Sequence, residues 1–395
     1  MKKLLRFLSL LMLLIGLCAV TVPCLTAAEE QGARLVCLNI GKADCLLLLW
    51  EDHAYLIDTG YEQNYPAIEL MLAHYGVERL DGVFLTHCHK DHEGGLMKLA
   101  MSDISIDAWY AAAIFYDVKT DRHPMALAAA LREDTVEWLV CGDVIPVGGN
   151  ASFTVLGPVS VNEENENNNS LVLRFSCPEG SILLAGDMKE EEEQDLLALG
   201  LLSPCELLKA GHHGDNGATK KAFLSVVHPR FALISTDSHE EHDTPAPSTL
   251  ERLTKIGCKY SVTQDAQDAL EAVLSDHQVT VNDVAWHGVP ARCTAVSAES
   301  DTENALLILR NDSDNTVALS GSTLYFSRGG DLYPLPDIVL APGETFRIGG
   351  KKTEVECDLR LDKKKLWNEK KQDIATLYDA CGRGIAWANN GIEDD

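Results

Sequence analysis

The stretch DGVFLTHCHKDHEGG, residues 81–95, constrains the fold of this chain more than any other. Thirteen histidines are spread over 395 residues, yet His87, His89 and His92 fall within six positions, with Asp91 among them. A short apolar run ending at such a cluster reads as a buried strand that delivers polar side chains at its C-terminal edge. In an extended segment His87 and His89 share one face and Cys88 points the other way. A turn then carries Asp91 and His92 round to the same edge. Gly94 and Gly95 let the backbone crowd against whatever is held there.

Imidazole nitrogen and carboxylate oxygen, without matched cysteines, suit zinc first, with manganese or iron as alternatives, rather than a closed structural cysteine site. Four ligand-type side chains so close together can serve two adjacent divalent ions. His87 and His89 would serve one, Asp91 and His92 the other.

The surrounding pattern fixes the architecture. RLVCLNI, CLLLLW and AYLIDTG read as consecutive strands, the last ending at Asp58. YPAIELMLAHYGV has helical spacing, with Pro66 in a first turn and Gly76 as C-cap. A helix is expected from about Gly95 to Ala100, then a strand at 107–110, a helix at 124–132 and a strand at 136–140. SFTVLGP and SLVLRFS are strands flanking a polar loop, and SILLAGD is a strand ending at Asp187. KEEEEQDLLAL is a helix whose acidic first turn suits the macrodipole. Strands and helices continue to alternate to residues 282–287, which predicts an α/β layered domain over 33–287. Residues 288–302 read as a linker. Beyond it, short strands spaced by Gly, Asp, Asn and Pro predict a small all-β sandwich over 303–388.

The first 28 residues read as a secretory signal. Lys2, Lys3 and Arg6 form a basic start, Leu8–Val22 an apolar core and Thr26-Ala27-Ala28 a small-residue cleavage site. The core is shorter than the ~20 residues a spanning helix needs. The expectation is an exported bacterial protein, secreted or at the cell surface, with no membrane span after cleavage. Cleavage removes three cations and no acids, taking the net charge from −27 to −30. Such a surface repels polyanions at long range, which counts against tight non-specific nucleic-acid binding but leaves a local metal site free to engage a phosphate. Ten cysteines remain, without a CxxC pair, and no disulfide framework is legible.

The motifs around the histidine cluster resemble, in order and spacing, the metallo-β-lactamase fold superfamily, whose signature is HxHxDH followed by Gly-Gly. They look in particular like the hydrolase domain of the DNA-uptake competence protein ComEC. NIGKADCLLLL with Asp44, YLIDTG with Asp58, NNNSLVLRF, ILLAGD and ELLKAGHHG match over roughly residues 33–275. The resemblance implies an αββα sandwich, with Asp187 bridging two ions and His212 or His213 completing the second site or facing the substrate. It also implies that Asp58 orients a ligand from behind, as metal-bound histidines usually require. Two departures stand out. Asn169 occupies a position where many members have a histidine. Thr244 precedes Pro245 where the family's N-x-Y-x-H-P segment has one, with His242 as the nearby substitute ligand or proton donor. The tail, ILRNDSDNTVALSG, LAPGE and LWN…DIATLYDACG, resembles the lamin-tail domain, an immunoglobulin-like sandwich, with Ser322 where that family often has Trp.

Together these imply an exported hydrolase using a metal-bridging hydroxide, of phosphodiesterase or nuclease type. Asp91, His212, His213 and His242 are the candidate catalytic side chains. Nucleic acid and a phosphocholine-bearing polymer are the candidate substrates, and the lamin-tail region the contact to a cell surface or polymer. The alternatives are hydrolysis of a lactone, β-lactam or thioester on the same fold, and a metal-containing binding module without turnover.

Overall fold

The computed structural model describes residues 32–115, 122–240, 243–290 and 292–392. The signal-peptide expectation for residues 1–28, and His242, lie outside the described residues.

Two sheets face each other. The first has eight strands in the order Gln278–Val284, Ala269–Ser275, Ala33–Leu38, Leu46–Trp50, His53–Ile57, Gly82–Leu85, Trp109–Ala112, Val136–Leu139. The second has seven, in the order Lys259–Val262, Phe231–Ile234, Leu207–Lys209, Gly180–Leu184, Val172–Cys177, Ala151–Gly157, Val144–Gly148. Inward-facing residues of both sheets, among them Leu35, Leu46, Phe84, Phe153, Phe175 and Leu184, form one core between them. Its aromatic rings pack edge-on, as for Tyr55 against Phe153 at 5.0 Å, or stacked, as for Phe84 against Tyr110 at 4.6 Å. Helices cover the outer faces. Met71, Leu72 and Leu96 bury against the first sheet, and Leu196, Phe223 and Leu253 against the second. This is the layered α/β arrangement expected for the N-terminal part of the chain.

The helices sit where the sequence places them. Tyr65–His74 begins with Pro66 in its first turn, where the missing N–H costs nothing. Glu190–Ala198 carries Glu190 to Glu193 at its positive end. Strands His53–Ile57, Gly82–Leu85, Trp109–Ala112 and Val136–Leu139 run parallel in sequence. So do Gly180–Leu184, Leu207–Lys209, Phe231–Ile234 and Lys259–Val262. Their C-terminal ends gather Asp58, His87, Asp187, His213 and Ser235 on one edge, the usual place for a site in an open α/β sheet.

The C-terminal region is rich in strands. Val296–Asp301, Leu306–Asn311, Thr345–Gly349 and Leu359–Arg360 form one sheet, and Asp331–Pro334, Thr323–Phe326, Ile374–Tyr378 and Gly384–Asn389 another. Leu307, Leu309, Leu324, Phe326, Trp367 and Leu377 share the core of this region. The stretch 288–302, expected as a linker, contains the strand Val296–Asp301, paired antiparallel with Leu306–Asn311. Its small and polar residues hide the alternation, and the pairing partner supplies the strand. This region also packs directly on the α/β layers. Arg383 Nη1 lies 2.7 Å from Asp268 Oδ1, both side chains buried, and Asn64 Nδ2 donates to the Gly382 carbonyl at 2.9 Å. Glu240, 8 % exposed, accepts from the Lys42 N–H (2.8 Å), the Tyr378 hydroxyl (3.2 Å) and Trp387 Nε1 (3.1 Å). The ten cysteines at Cys37 and beyond are all free thiols.

Candidate metal centre

The strand Gly82–Leu85 ends at Thr86, and the next residues turn into the short helix Lys90–Glu93. That turn aims His87, Asp91 and His92 at one point. Asp187 reaches the same point from the loop after Gly180–Leu184. His87 Nε2 stands 3.7 Å from Asp187 Oδ2, and His92 Nε2 3.3 Å from it. His213 Nε2 is 3.3 Å from Asp91 Oδ2 and 3.4 Å from Asp187 Oδ1. Asp91, His92, Asp187 and His213 each place one donor atom within 4.8 Å of the others, and His87, His89 and Asp187 form a second such group. Asp187 is common to both.

His212 and His213 do not lie in an extended segment. Both adopt left-handed backbone, φ 45° and 55°, a conformation that costs free energy in non-glycine residues. The strained turn buries His213 against the cluster and leaves His212 at the rim, 17 % exposed. There His212 Nε2 lies 3.2 Å from Asn167 Nδ2 and 3.8 Å from Asp187 Oδ2. Its Nδ1 lies 3.5 Å from Asp215. His89 is also at the rim, its Nδ1 3.0 Å from His87 Nε2 and its Nε2 3.6 Å from Glu166.

A second layer of bonds sets ring orientation. Asp58 Oδ2 accepts from His92 Nδ1 at 2.7 Å, while the Thr86 N–H and hydroxyl donate to the same carboxylate at 2.8 and 2.7 Å. His213 Nδ1 donates to the Ser235 carbonyl at 2.8 Å. These bonds leave the Nε2 atom of each ring for the centre. Behind His213, the Ser235 hydroxyl donates to Asp44 Oδ1, and Lys209 Nζ pairs with Asp44 Oδ2 at 2.8 Å, both fully buried. Burial alone would lower the Lys209 pKa, but the Asp44 charge overcomes it and holds it above its ordinary value. Lys209, Ser235 and Thr86 escape a reading of the sequence. The available signal is a lysine inside the apolar strand Leu207–Lys209, where a charge is rarely buried without a partner.

Of the two family departures, Asn169 turns to the polar loop. It accepts from Asn162 N–H at 2.7 Å and donates to the Asn162 carbonyl at 2.9 Å. The neighbouring Ser170 Oγ accepts from the Asp187 N–H at 3.1 Å. Thr244 is buried, 2.7 Å from Thr236 Oγ1.

The electrostatics show what the centre needs. Burial would lower the pKa of His92, yet Asp187, Asp58 and Asp91 hold it well above its ordinary value. His213, likewise opposed by burial, is pushed up to about 9 by Asp187 and Asp91. Burial would raise Asp187, but His213 and His92 hold it well below the usual carboxylate range. Clustered buried carboxylates therefore demand positive charge at this point. His92 Nε2, His213 Nε2 and Asp187 Oδ1 are buried with no hydrogen-bond partner, which native interiors seldom tolerate. A divalent cation satisfies both demands, so the residues present fit one.

The profile of the Metallo-beta-lactamase superfamily matches residues 39–239. The chain is similar to "ComE operon protein 3" of Bacillus subtilis, 26% identical over 275 residues, covering 63% of this chain and 34% of that one. It is also similar to "Competence protein ComA" of Neisseria gonorrhoeae, 27% identical over 248 residues, covering 62% and 33%. It thus spans about a third of the length of these curated relatives. Among solved structures, the metallo-beta-lactamase fold protein YhfI from Bacillus subtilis is 13% identical, covering 63% of this chain and all of that one, with a TM-score of 0.40.

Proposed function

Because this chain belongs to the metallo-beta-lactamase superfamily, we propose that it is an exported, metal-dependent hydrolase of phosphodiester bonds. The observation that carries this reading is the convergence of His92 Nε2, His213 Nε2 and Asp187 Oδ1, all buried and none of them hydrogen-bonded. Asp91, His92, Asp187 and His213 would hold one divalent ion and His87, His89 and Asp187 a second, zinc before manganese or iron, with Asp187 common to both. Such ions supply Lewis acidity toward a phosphoryl oxygen and make a bound water acidic enough to attack near neutral pH.

The chain's own groups do the rest. Asp58 and the Ser235 carbonyl fix the tautomers of His92 and His213. His212, at the rim with its Nδ1 3.5 Å from Asp215 Oδ1, would return a proton to the leaving oxygen, a role worth roughly 10²–10⁴ in rate. The resemblance of the motif chain to the ComEC-like branch favours nucleic acid over a phosphocholine-bearing polymer. In the same reading the C-terminal strands are an immunoglobulin-like, lamin-tail-type sandwich that contacts a cell surface or polymer.

The test is hydrolysis of bis-p-nitrophenyl phosphate, single-stranded DNA and nitrocefin by metal-loaded protein, with and without chelator. Chelator-sensitive cleavage of the two phosphodiesters is expected. Cleavage of nitrocefin alone would move the chain to lactam or lactone hydrolysis. Bound metal without any turnover would make it a binding module.

A further inference from the structure

On the outer side of the helix Lys90–Glu93, a groove of about 430 Å³ runs between the α/β layers and the C-terminal strands. Tyr61, Lys90, Met97, Arg122 and Leu127 line one wall, and Tyr325 of the strand Thr323–Phe326 the other. The rings of Tyr61 and Tyr325 stand 5.7 Å apart, tilted by 42°. Burial raises the pKa of both phenols, joined next by the Asp91 charge at Tyr61 and by Glu240 and then Asp91 at Tyr325. Lys90, between His89 and Asp91 in the chain, lines the groove, which therefore adjoins the turn that carries the centre. Gly330 presses on its lip, where a Cβ would come within 2.6 Å of Lys90 Nζ.

Three features set this groove apart. Lys90 and Arg122 are exposed and neither joins an ion pair among the described residues, in a chain of net charge −27. Of the two acids beside them, Glu62 is matched by Lys98 at 3.5 Å, and Glu93, whose Oε2 is buried, feels the Lys90 charge without pairing with it. Met97 and Leu127 are large apolar side chains left 38 % and 45 % exposed. The far wall is held in place, since Glu240, Asp268 and Asn64 fasten the C-terminal strands through Tyr378, Trp387, Arg383 and Gly382. Exposed cations beside aromatic and apolar surface are what an unpaired nucleic-acid strand binds, phosphates to the cations and bases to the rings.

We infer that this groove is a subsite, completed by Tyr325 from the C-terminal region, that takes the nucleotides flanking the scissile bond of a single-stranded nucleic acid. This rests on the phosphodiesterase reading for the reaction but not for the binding. The full metal-loaded chain is titrated against a short fluorescein-labelled oligothymidylate and followed by anisotropy. Stacking is worth ~1–3 kcal/mol per base, so Tyr325→Ala is expected to weaken Kd about five-fold or more, and Tyr325→Phe, which keeps the ring, to bind like wild type. Arg122→Ala should weaken Kd and flatten its dependence on log salt by ~0.7. In turnover, KM for the oligonucleotide rises in both weakened variants while kcat stays within about two-fold. Circular dichroism of Tyr325→Ala separates lost folding from lost binding, and Arg122→Ala on the surface reads the groove independently. Unchanged Kd in folded Tyr325→Ala and Arg122→Ala overturns the inference. So does a wild-type chain that binds a phosphocholine-bearing polymer and not the oligonucleotide. Binding that follows these variants in a protein without phosphodiester turnover upholds the groove and rejects the proposed reaction.

Discussion

Lys209 offers the sharpest quantitative test of how the centre is built. Its Nζ lies 2.8 Å from Asp44 Oδ2, and the two side chains are 0% and 1% exposed. At an effective dielectric of ~20 that separation corresponds to about 6 kcal/mol of gross attraction. Desolvation cancels much of it, and removing one member of a buried pair costs roughly 3–5 kcal/mol because the other charge is left uncompensated. Lys209→Met keeps the volume and strands Asp44, which still receives the Ser235 hydroxyl. At ~2–4 °C per kcal/mol for a mid-sized domain, Tm should fall by roughly 6–20 °C. The measurement is thermal unfolding with chelator present, so that loss of metal does not enter. Adding Asp44→Asn to Lys209→Met removes the stranded charge, and the double variant should regain at least ~2 kcal/mol over additivity. A Lys209→Met protein melting within about 2 °C of wild type would refute the claim that this pair braces the His213 side of the site.

Two further outcomes follow from the geometry. His213→Ala should lose bound metal, whereas His212→Ala should keep its metal content and lose turnover, as read by metal analysis of dialysed protein beside the diester assay; the reverse pattern would exchange their roles. Glu240 carries a pH dependence, because burial pushes its carboxyl up to about 7 from 4.5. A folded pKa above the unfolded one gives a contribution that is full below pH ~4.5 and lost as pH rises through ~7. Wild type should therefore lose up to roughly 3 kcal/mol relative to Glu240→Gln between pH 4.5 and 8, seen as converging or crossing urea midpoints. Parallel pH profiles for the two proteins would remove Glu240 from that role.

What the sequence discloses here is what lies close together along the chain. His87, His89, Asp91 and His92 are legible because one strand end and one turn carry them all, and Asp187 because it closes an apolar run of its own. The choice between His212 and His213 is not, because it depends on two left-handed residues in succession, which no residue type at those positions announces. The bracing of His213 is hidden for a different reason. Asp44, Lys209 and Ser235 lie in or beside three strands far apart in sequence, and each looks ordinary until the sheets close. The C-terminal strands are legible as short β-segments, but their docking is not. It runs through Glu240, Asp268 and Asn64, which pair with partners more than a hundred positions away. The chemistry of this protein is therefore written locally, while the surface that would choose its substrate is assembled by long-range contacts. Tyr325 belongs to the second category, so changing it should alter which substrates are bound without touching the residues that would hold metal.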